Sequence, residues 1–111
     1  MNAPQFQEVE LEFMEKLCPL GYTRAIEEMN GPFGSHFVDY VLKGQAYRLI
    51  ADGKESKLLV EFSALYSRPV PNQNWQSILC VPFPRTFNAA SLLLLCQSVS
   101  LGLTAHQSSA A

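Results

Sequence analysis

Between Phe37 and Phe62 the chain alternates three short runs, FVDYVLK, AYRLIAD and KLLVEF, with Gly44-Gln45 and Gly53-Lys54-Glu55-Ser56. Turn-forming residues between half-apolar runs dictate two successive hairpins, and hence an antiparallel meander. A two-residue loop with Gly first suits a type II′ turn, because glycine accepts the positive φ required there. Gly44-Gln45 in that role pairs Leu42 with Tyr47, Tyr40 with Leu49, and Val38 with Ala51. A four-residue loop from Gly53 to Ser56 pairs Asp52 with Lys57, Arg48 with Glu61, Leu49 with Val60, and Tyr47 with Phe62. Slipping this second hairpin by one residue loses both charge pairs and exchanges the faces of one strand.

This alternation sorts the sheet into two faces. One holds Val38, Tyr40, Leu42, Tyr47, Leu49, Ala51, Leu58, Val60 and Phe62, and must be covered. The other carries Asp39, Arg48, Asp52, Lys57 and Glu61 together with Phe37, Val41, Ile50 and Leu59. Four large apolar residues on that second face form a patch that monomeric proteins tend to avoid unless they use it. It is expected to be covered by a second copy of the chain, by a partner protein, or by the Pro-rich segment around Val70 or Trp75 folding back.

Helices are expected on either side of the meander. Phe6, Val9, Phe13, Met14 and Leu17 recur at helical spacing, Pro4 suits a first turn with Asn2 or Ala3 at the cap, and Pro19 and Gly21 end the run. Tyr22 to Met29 reads as a further strand before the breaker group Asn30-Gly31-Pro32-Phe33-Gly34. After Phe62, Ser67 to Asn74 reads as a Pro/Asn-rich surface loop, and WQSILCV as a short extended segment or a half-turn on an edge. Thr86 is a candidate N-cap for a closing helix from about Phe87 to Leu103. That helix is apolar around much of its circumference, and Asn88, Ser91, Gln97, Ser98, Ser100 and Gly102 interrupt it, so a buried helix is expected rather than a membrane span.

The expectation is therefore one α+β domain over 1–111: an N-terminal helix, a four-stranded antiparallel meander and a C-terminal helix, with both helices on one sheet face. Its ordered core spans about 4–104, and the tail 105–111 is expected to be disordered. A length of 111 residues suits a single two-layer core. Apolar residues make up 48% and charged residues 16%, which indicates a globular chain. A net charge of −2 and a pI near 5.6 supply no basic field, so neither nucleic acid nor an anionic membrane is an expected partner. Cys18, Cys80 and Cys96 are odd in number and widely spaced, which suits buried small hydrophobes in a reducing compartment better than a disulfide or metal framework. The N-terminus MNAPQFQEVELE is acidic and amphipathic, unlike a secretory signal, and a cytoplasmic location is expected.

Material for catalysis is sparse. His36 and His106 are the two histidines, one at a strand start and the other in the tail, so a Cys-His or Ser-His-Asp arrangement has little to draw on. Glu27 and Glu28 point to opposite faces of a strand. Asp52-Gly53-Lys54 lacks the further carboxylates of a metal loop, and Gly31 and Gly34 lack the helix that a phosphate cradle needs. Arg24, Arg48 and Arg85 could bind an anion if they converged, but a pair of Arg48 with Glu61 is the simpler expectation. No enzyme activity, cofactor or metal is expected.

Phe33-Gly34 ahead of Phe37 to Tyr40, then Tyr47-Arg48-Leu49-Ile50 with Asp52-Gly53, Val60-Glu61-Phe62 and Trp75, follow the order helix, meander, Pro-rich loop, helix. In this layout, from about Pro4 to Leu103, the chain resembles several groups of small bacterial proteins of unknown function, including toxin-immunity-type proteins. The resemblance implies a protein that acts by binding another protein and has no catalytic residues to carry over. The expected function is a non-catalytic interaction module, of the immunity, inhibitor or adaptor kind. Its binding residues are Phe37, Val41, Ile50, Leu59, Tyr66 and Trp75, and its partner is another protein or a second copy of itself. The alternative is a small-ligand binding module with a pocket between sheet and helices lined by Tyr40 and Tyr47.

Overall fold

Asn2 starts the first helix in the way its side chain allows. Its Oδ1 accepts the Gln5 N–H at 2.9 Å while the Gln5 side chain accepts the Asn2 N–H at 2.8 Å, a reciprocal capping box. In the computed structural model, which describes residues 1–66 and 74–109, α1 runs Ala3–Leu17. A 3₁₀ turn over Cys18–Leu20 follows, and Gly21, at φ 101°, closes it. Five strands come next: β1 Thr23–Glu28, β2 His36–Leu42, β3 Gln45–Asp52, β4 Lys57–Ser63 and β5 Gln76–Pro82. The closing helix, α2, spans Ala89–Ser109.

All strands join one antiparallel sheet in chain order, β1-β2-β3-β4-β5. Both helices lie on its inner face, α1 over β2 and β3 and α2 over β4 and β5, and they pack against each other. Phe6, Val9, Phe13 and Leu17 from α1 and Leu95, Val99 and Leu103 from α2 close over Val38, Tyr40, Leu49, Leu58 and Val60. The inner face expected from alternation is thus the core, with Leu49 fully buried.

The second hairpin has the expected register, with Asp52 opposite Lys57, Arg48 opposite Glu61 and Leu49 opposite Val60. Its loop is held by Asp52 Oδ1, which accepts the N–H groups of Lys54 and Glu55 at 2.9 and 3.1 Å.

The first hairpin is displaced by two residues from expectation. Leu42 pairs with Gln45, Tyr40 with Tyr47 and Val38 with Leu49, so the turn is Lys43-Gly44. Both turn residues have positive φ, 47° and 77°, as a type I′ turn requires. Because the shift is even, every side chain keeps its face.

Other expectations change as well. WQSILCV supplies a fifth strand, β5, where four strands were expected. It pairs with β4 through an irregularity between Val60 and Glu61. The cap of α2 is Asn88 rather than Thr86: its Oδ1 accepts the Ser91 N–H at 2.8 Å and the Ser91 hydroxyl accepts the Asn88 N–H at 2.9 Å. Residues Ala105 to Ser109, expected as a disordered tail, continue the helix. Nor is α2 buried all round, since Leu95, Val99 and Leu103 alone are buried on it while Leu93, Leu94 and Leu101 face solvent. By length and mean hydropathy (1.4 over its most apolar window), α2 could cross a membrane, a test that soluble core helices also pass. Cys18 and Cys80 are exposed and Cys96 is half-buried, all as free thiols, so burial does not explain the first two.

Candidate functional site

On the outer face, pairing across the strands sets the side chains in rows. Phe37, Ile50, Leu59 and Cys80 form one row across β2 to β5, and Asp39, Arg48, Glu61 and Ser77 form the next. The two-residue shift of the first hairpin brings Arg48 opposite Asp39, where the expected register would have set it opposite Val41. The guanidinium grips the fully buried Asp39 carboxylate in a bidentate pair, Nε–Oδ1 2.6 Å and Nη2–Oδ2 2.9 Å. The expected ion pair with Glu61 is not formed. Glu61 contributes only its nearby charge, and burial raises its own pKa.

Aromatic residues close over this pair. Arg48 Cζ lies 4.7 Å from the Phe37 ring centroid and 4.4 Å from that of Trp75, so the guanidinium is sandwiched between two π faces. The Tyr66 hydroxyl donates to Asp39 Oδ2 at 3.1 Å, and its ring meets Trp75 edge-on at 5.9 Å. Tyr66 is itself fixed by its N–H, which donates to the Gly44 carbonyl at 2.7 Å. Part of the outer face is therefore covered by the chain's own Tyr66 and Trp75. Val70, the other candidate cover, lies outside the described residues. All six expected binding residues share this face; Phe37, Val41, Ile50, Leu59 and Trp75 are half-buried and Tyr66 is buried.

One residue of this surface was not singled out as a binding residue. Phe33 sits between Pro32 and Gly34, beside Phe37 and Ile50, at the rim of a groove of about 360 Å³ that Asp52 and Lys54 also line. It is 71% exposed and has φ 59°, in the left-handed region that a bulky side chain rarely enters. Its turn is fastened on both sides: the Gly31 N–H donates to the Ser35 carbonyl at 2.8 Å, and the Gly53 N–H donates to the Ser35 hydroxyl at 2.9 Å. Lys54 Nζ stands 5.6 Å from the ring centroid. An aromatic residue inside a Gly-Pro breaker group was the available sequence signal.

His36, Glu10 and Arg24 are each engaged in structural contacts. His36 is buried against Phe6, accepts the Asn30 N–H on Nδ1 at 2.9 Å and donates from Nε2 to the Met1 carbonyl at 3.1 Å. Beneath α1, the buried Glu10 accepts from Arg24 Nε at 2.7 Å, Arg24 Nη2 at 3.2 Å and the Tyr40 hydroxyl at 2.6 Å. Arg24 also reaches Glu27, so Arg24 and Arg48 serve different carboxylates on opposite sides of the sheet and do not converge. Among the described residues no three His, Cys, Asp or Glu side chains cluster as metal ligands would.

A second concavity, of about 500 Å³, opens where β2 and β3 meet the end of α2, walled by Tyr22, Leu42, Tyr47 and Phe62. Nδ1 of His106 lies 2.7 Å from the Tyr47 hydroxyl, and its ring packs on Phe62 at 4.6 Å. Burial raises the Tyr47 pKa to about 12 and lowers that of His106. Tyr40, expected in such a pocket, is instead held by Glu10.

The fold is thus that of a two-layer α+β protein, with two helices on one side of a meander and an aromatic, ion-paired surface on the other. Comparison with protein-family models, with curated proteins and with solved structures finds no match.

Proposed function

We propose that the protein is a non-catalytic interaction module that binds another protein through the outer face of its sheet, as an inhibitor or adaptor does. The observation that carries this reading is Phe33, a large aromatic held in solvent by a left-handed backbone. Such backbone costs roughly 1–2 kcal/mol for an L-residue and persists where the surroundings enforce it, commonly at functional sites. Phe33 leads into the row Phe37, Ile50 and Leu59, with Arg48 and Trp75 alongside. Aromatic and arginine anchors on a rigid base are the residue types that dominate protein interfaces. The engagement of both histidines in packing contacts supports a module without catalysis or cofactor.

A photo-reactive phenylalanine at position 33, irradiated in the source cells, tests the reading. It should yield a defined heavier adduct that the same probe at Lys57 does not. Phe33→Gly, which relieves the backbone, should keep the fold and lose partner binding. Absence of any adduct from position 33 would count against the proposal.

The cleft beside Tyr47 supports a second reading, a module for a small uncharged aromatic ligand, because its volume falls in the range of ligand sites. Titration with indole should then shift the His106 ring protons saturably, and unchanged His106 signals would dismiss it.

A further inference from the structure

Among the asparagines, at positions 2, 30, 72, 74 and 88, Asn30 alone precedes a glycine. That order carries chemistry of its own. A glycine has no β-carbon to shield its backbone nitrogen or restrict its rotation, so the nitrogen can reach the side-chain carbonyl of the residue before it. Asn30 is exposed, has φ 57°, and opens the turn that presents Phe33. While that turn is closed the Gly31 nitrogen is occupied, its N–H donating to the Ser35 carbonyl at 2.8 Å. The Asn30 N–H donates to Nδ1 of the buried His36 at 2.9 Å. Ser35 is held in turn from the neighbouring hairpin, because the Gly53 N–H donates to its hydroxyl at 2.9 Å. The second pair of this kind, Asp52-Gly53, is guarded twice. Its glycine N–H is the one on the Ser35 hydroxyl, and Asp52 Oδ1 accepts the N–H groups of Lys54 and Glu55.

We propose that Asn30-Gly31 is a self-modification site, at which the asparagine converts to aspartate and isoaspartate when the Phe33 turn opens, with Ser35 as the brake. Once the Gly31 N–H leaves the Ser35 carbonyl, the Gly31 nitrogen attacks Asn30 Cγ. The N–Cγ bond forms, the Cγ–Nδ2 bond breaks, and the side-chain nitrogen departs as ammonia with the Gly31 proton. The cyclic imide that results takes up one water, the sole co-reactant. Opening at Cγ gives aspartate. Opening at the backbone carbonyl gives isoaspartate, whose main chain runs through Cγ and is one carbon longer. That extra carbon falls between the two N–H groups anchored on His36 and Ser35, so both anchors cannot be kept. Either product also adds a carboxylate near Glu28, whose Oε1 stands 2.7 Å from the place of a β-carbon on Gly31. The change is one-way and undoes the turn that carries Phe33. Its chemistry stands whether or not Phe33 meets a partner.

Peptide mapping of the full chain aged in mildly alkaline buffer reads the site. Residue 30 should gain one mass unit and become a substrate for isoaspartyl methyltransferase, and the other asparagines should not. The folded chain should convert more slowly than the same chain in urea, a comparison that needs no variant. Ser35→Ala removes the hydroxyl that Gly53 holds, and Gly53→Ala displaces the Phe33 carbonyl. Each, its fold checked by circular dichroism, should speed conversion roughly two- to tenfold, the gain in open population when one hydrogen bond is lost. Asn30→Gly suits the positive φ and removes the reacting amide, so its amide shifts at residues 31–35 should survive ageing while those of the wild type change. Residue 30 left intact in the folded chain after the urea sample has converted would overturn the proposal. So would equal rates in the two states, folded variants that convert no faster, or a converted chain with unaltered shifts at 31–35.

Discussion

The Phe33 carbonyl occupies the place where a β-carbon on Gly53 would stand. Two turns distant in sequence interlock there, and the glycine is required by its neighbour rather than by its own backbone angle. Gly53→Ala should destabilise the protein by about 1–3 kcal/mol, the usual cost of overpacking. Urea denaturation measures the loss, and amide shifts at residues 31–35 should report displacement of the Phe33 turn. A stability equal to wild type would show that the two turns separate freely.

Arg48→Ala leaves the Asp39 carboxylate buried without its cation, and removing one partner of a buried pair costs about 3–5 kcal/mol. Glu61→Gln touches a residue that faces Arg48 in register but does not bond it, so its effect should be well under half as large. Comparison of the two variants by chemical denaturation distinguishes pairing in register from ion pairing. Equal losses would return Glu61 to the role of partner.

Leu49 is fully enclosed at the centre of the sheet. Leu49→Ala should cost about 2–5 kcal/mol, combining lost burial with the cavity left behind. Equilibrium unfolding measures it, and a loss below 1 kcal/mol would mean that the helices collapse onto the vacancy.

Burial lowers the pKa of His106 from its ordinary 6.5. The folded state then binds a proton less readily than the unfolded chain, so stability is fully present above pH 6.5 and declines as pH falls through that value towards the depressed one. In the protonated ring Nδ1, which faces the Tyr47 hydroxyl, can only donate. Thermal melts between pH 7.5 and 5 should show a loss that is reduced in His106→Asn. Parallel pH profiles for the two proteins would remove His106 as the cause.

Where side chains mark both the turn and the face, the sequence is sufficient. Asp52, Lys57, Arg48 and Glu61 surround a four-residue loop and leave one register, which is the one observed. The first hairpin lacks such markers: Lys43-Gly44 and Gly44-Gln45 both offer a glycine, and a two-residue shift keeps every side chain on its face. Strand β5 is obscured because its irregular pairing at Val60/Glu61 breaks the period on which alternation depends. The orientation of α2 is illegible since no charge on it identifies the solvent side. Phe33 is the harder case, because its left-handed backbone comes from contacts with Ser35 and Gly53 that no local propensity records. Alternation alone placed Phe37, Val41, Ile50 and Leu59 on the outer face; Tyr66 and Trp75 were expected only as loop aromatics, and Arg48 and Asp39 between them depended on the register that was ambiguous.

The meander places each strand beside its sequence neighbour, whereas the helices join the two ends of the chain: the Cys96 thiol meets the Glu8 carbonyl across 88 residues. During vectorial synthesis all five strands are made before Ala89 is added, so Leu58 and Val60 are in the chain before the residues that cover them. Only the segment carrying Leu95, Val99 and Leu103, made after every strand, seals that half of the interior. A premature stop in it would release a chain with a finished sheet and an open hydrophobic flank, the kind of product that chaperones and proteases intercept.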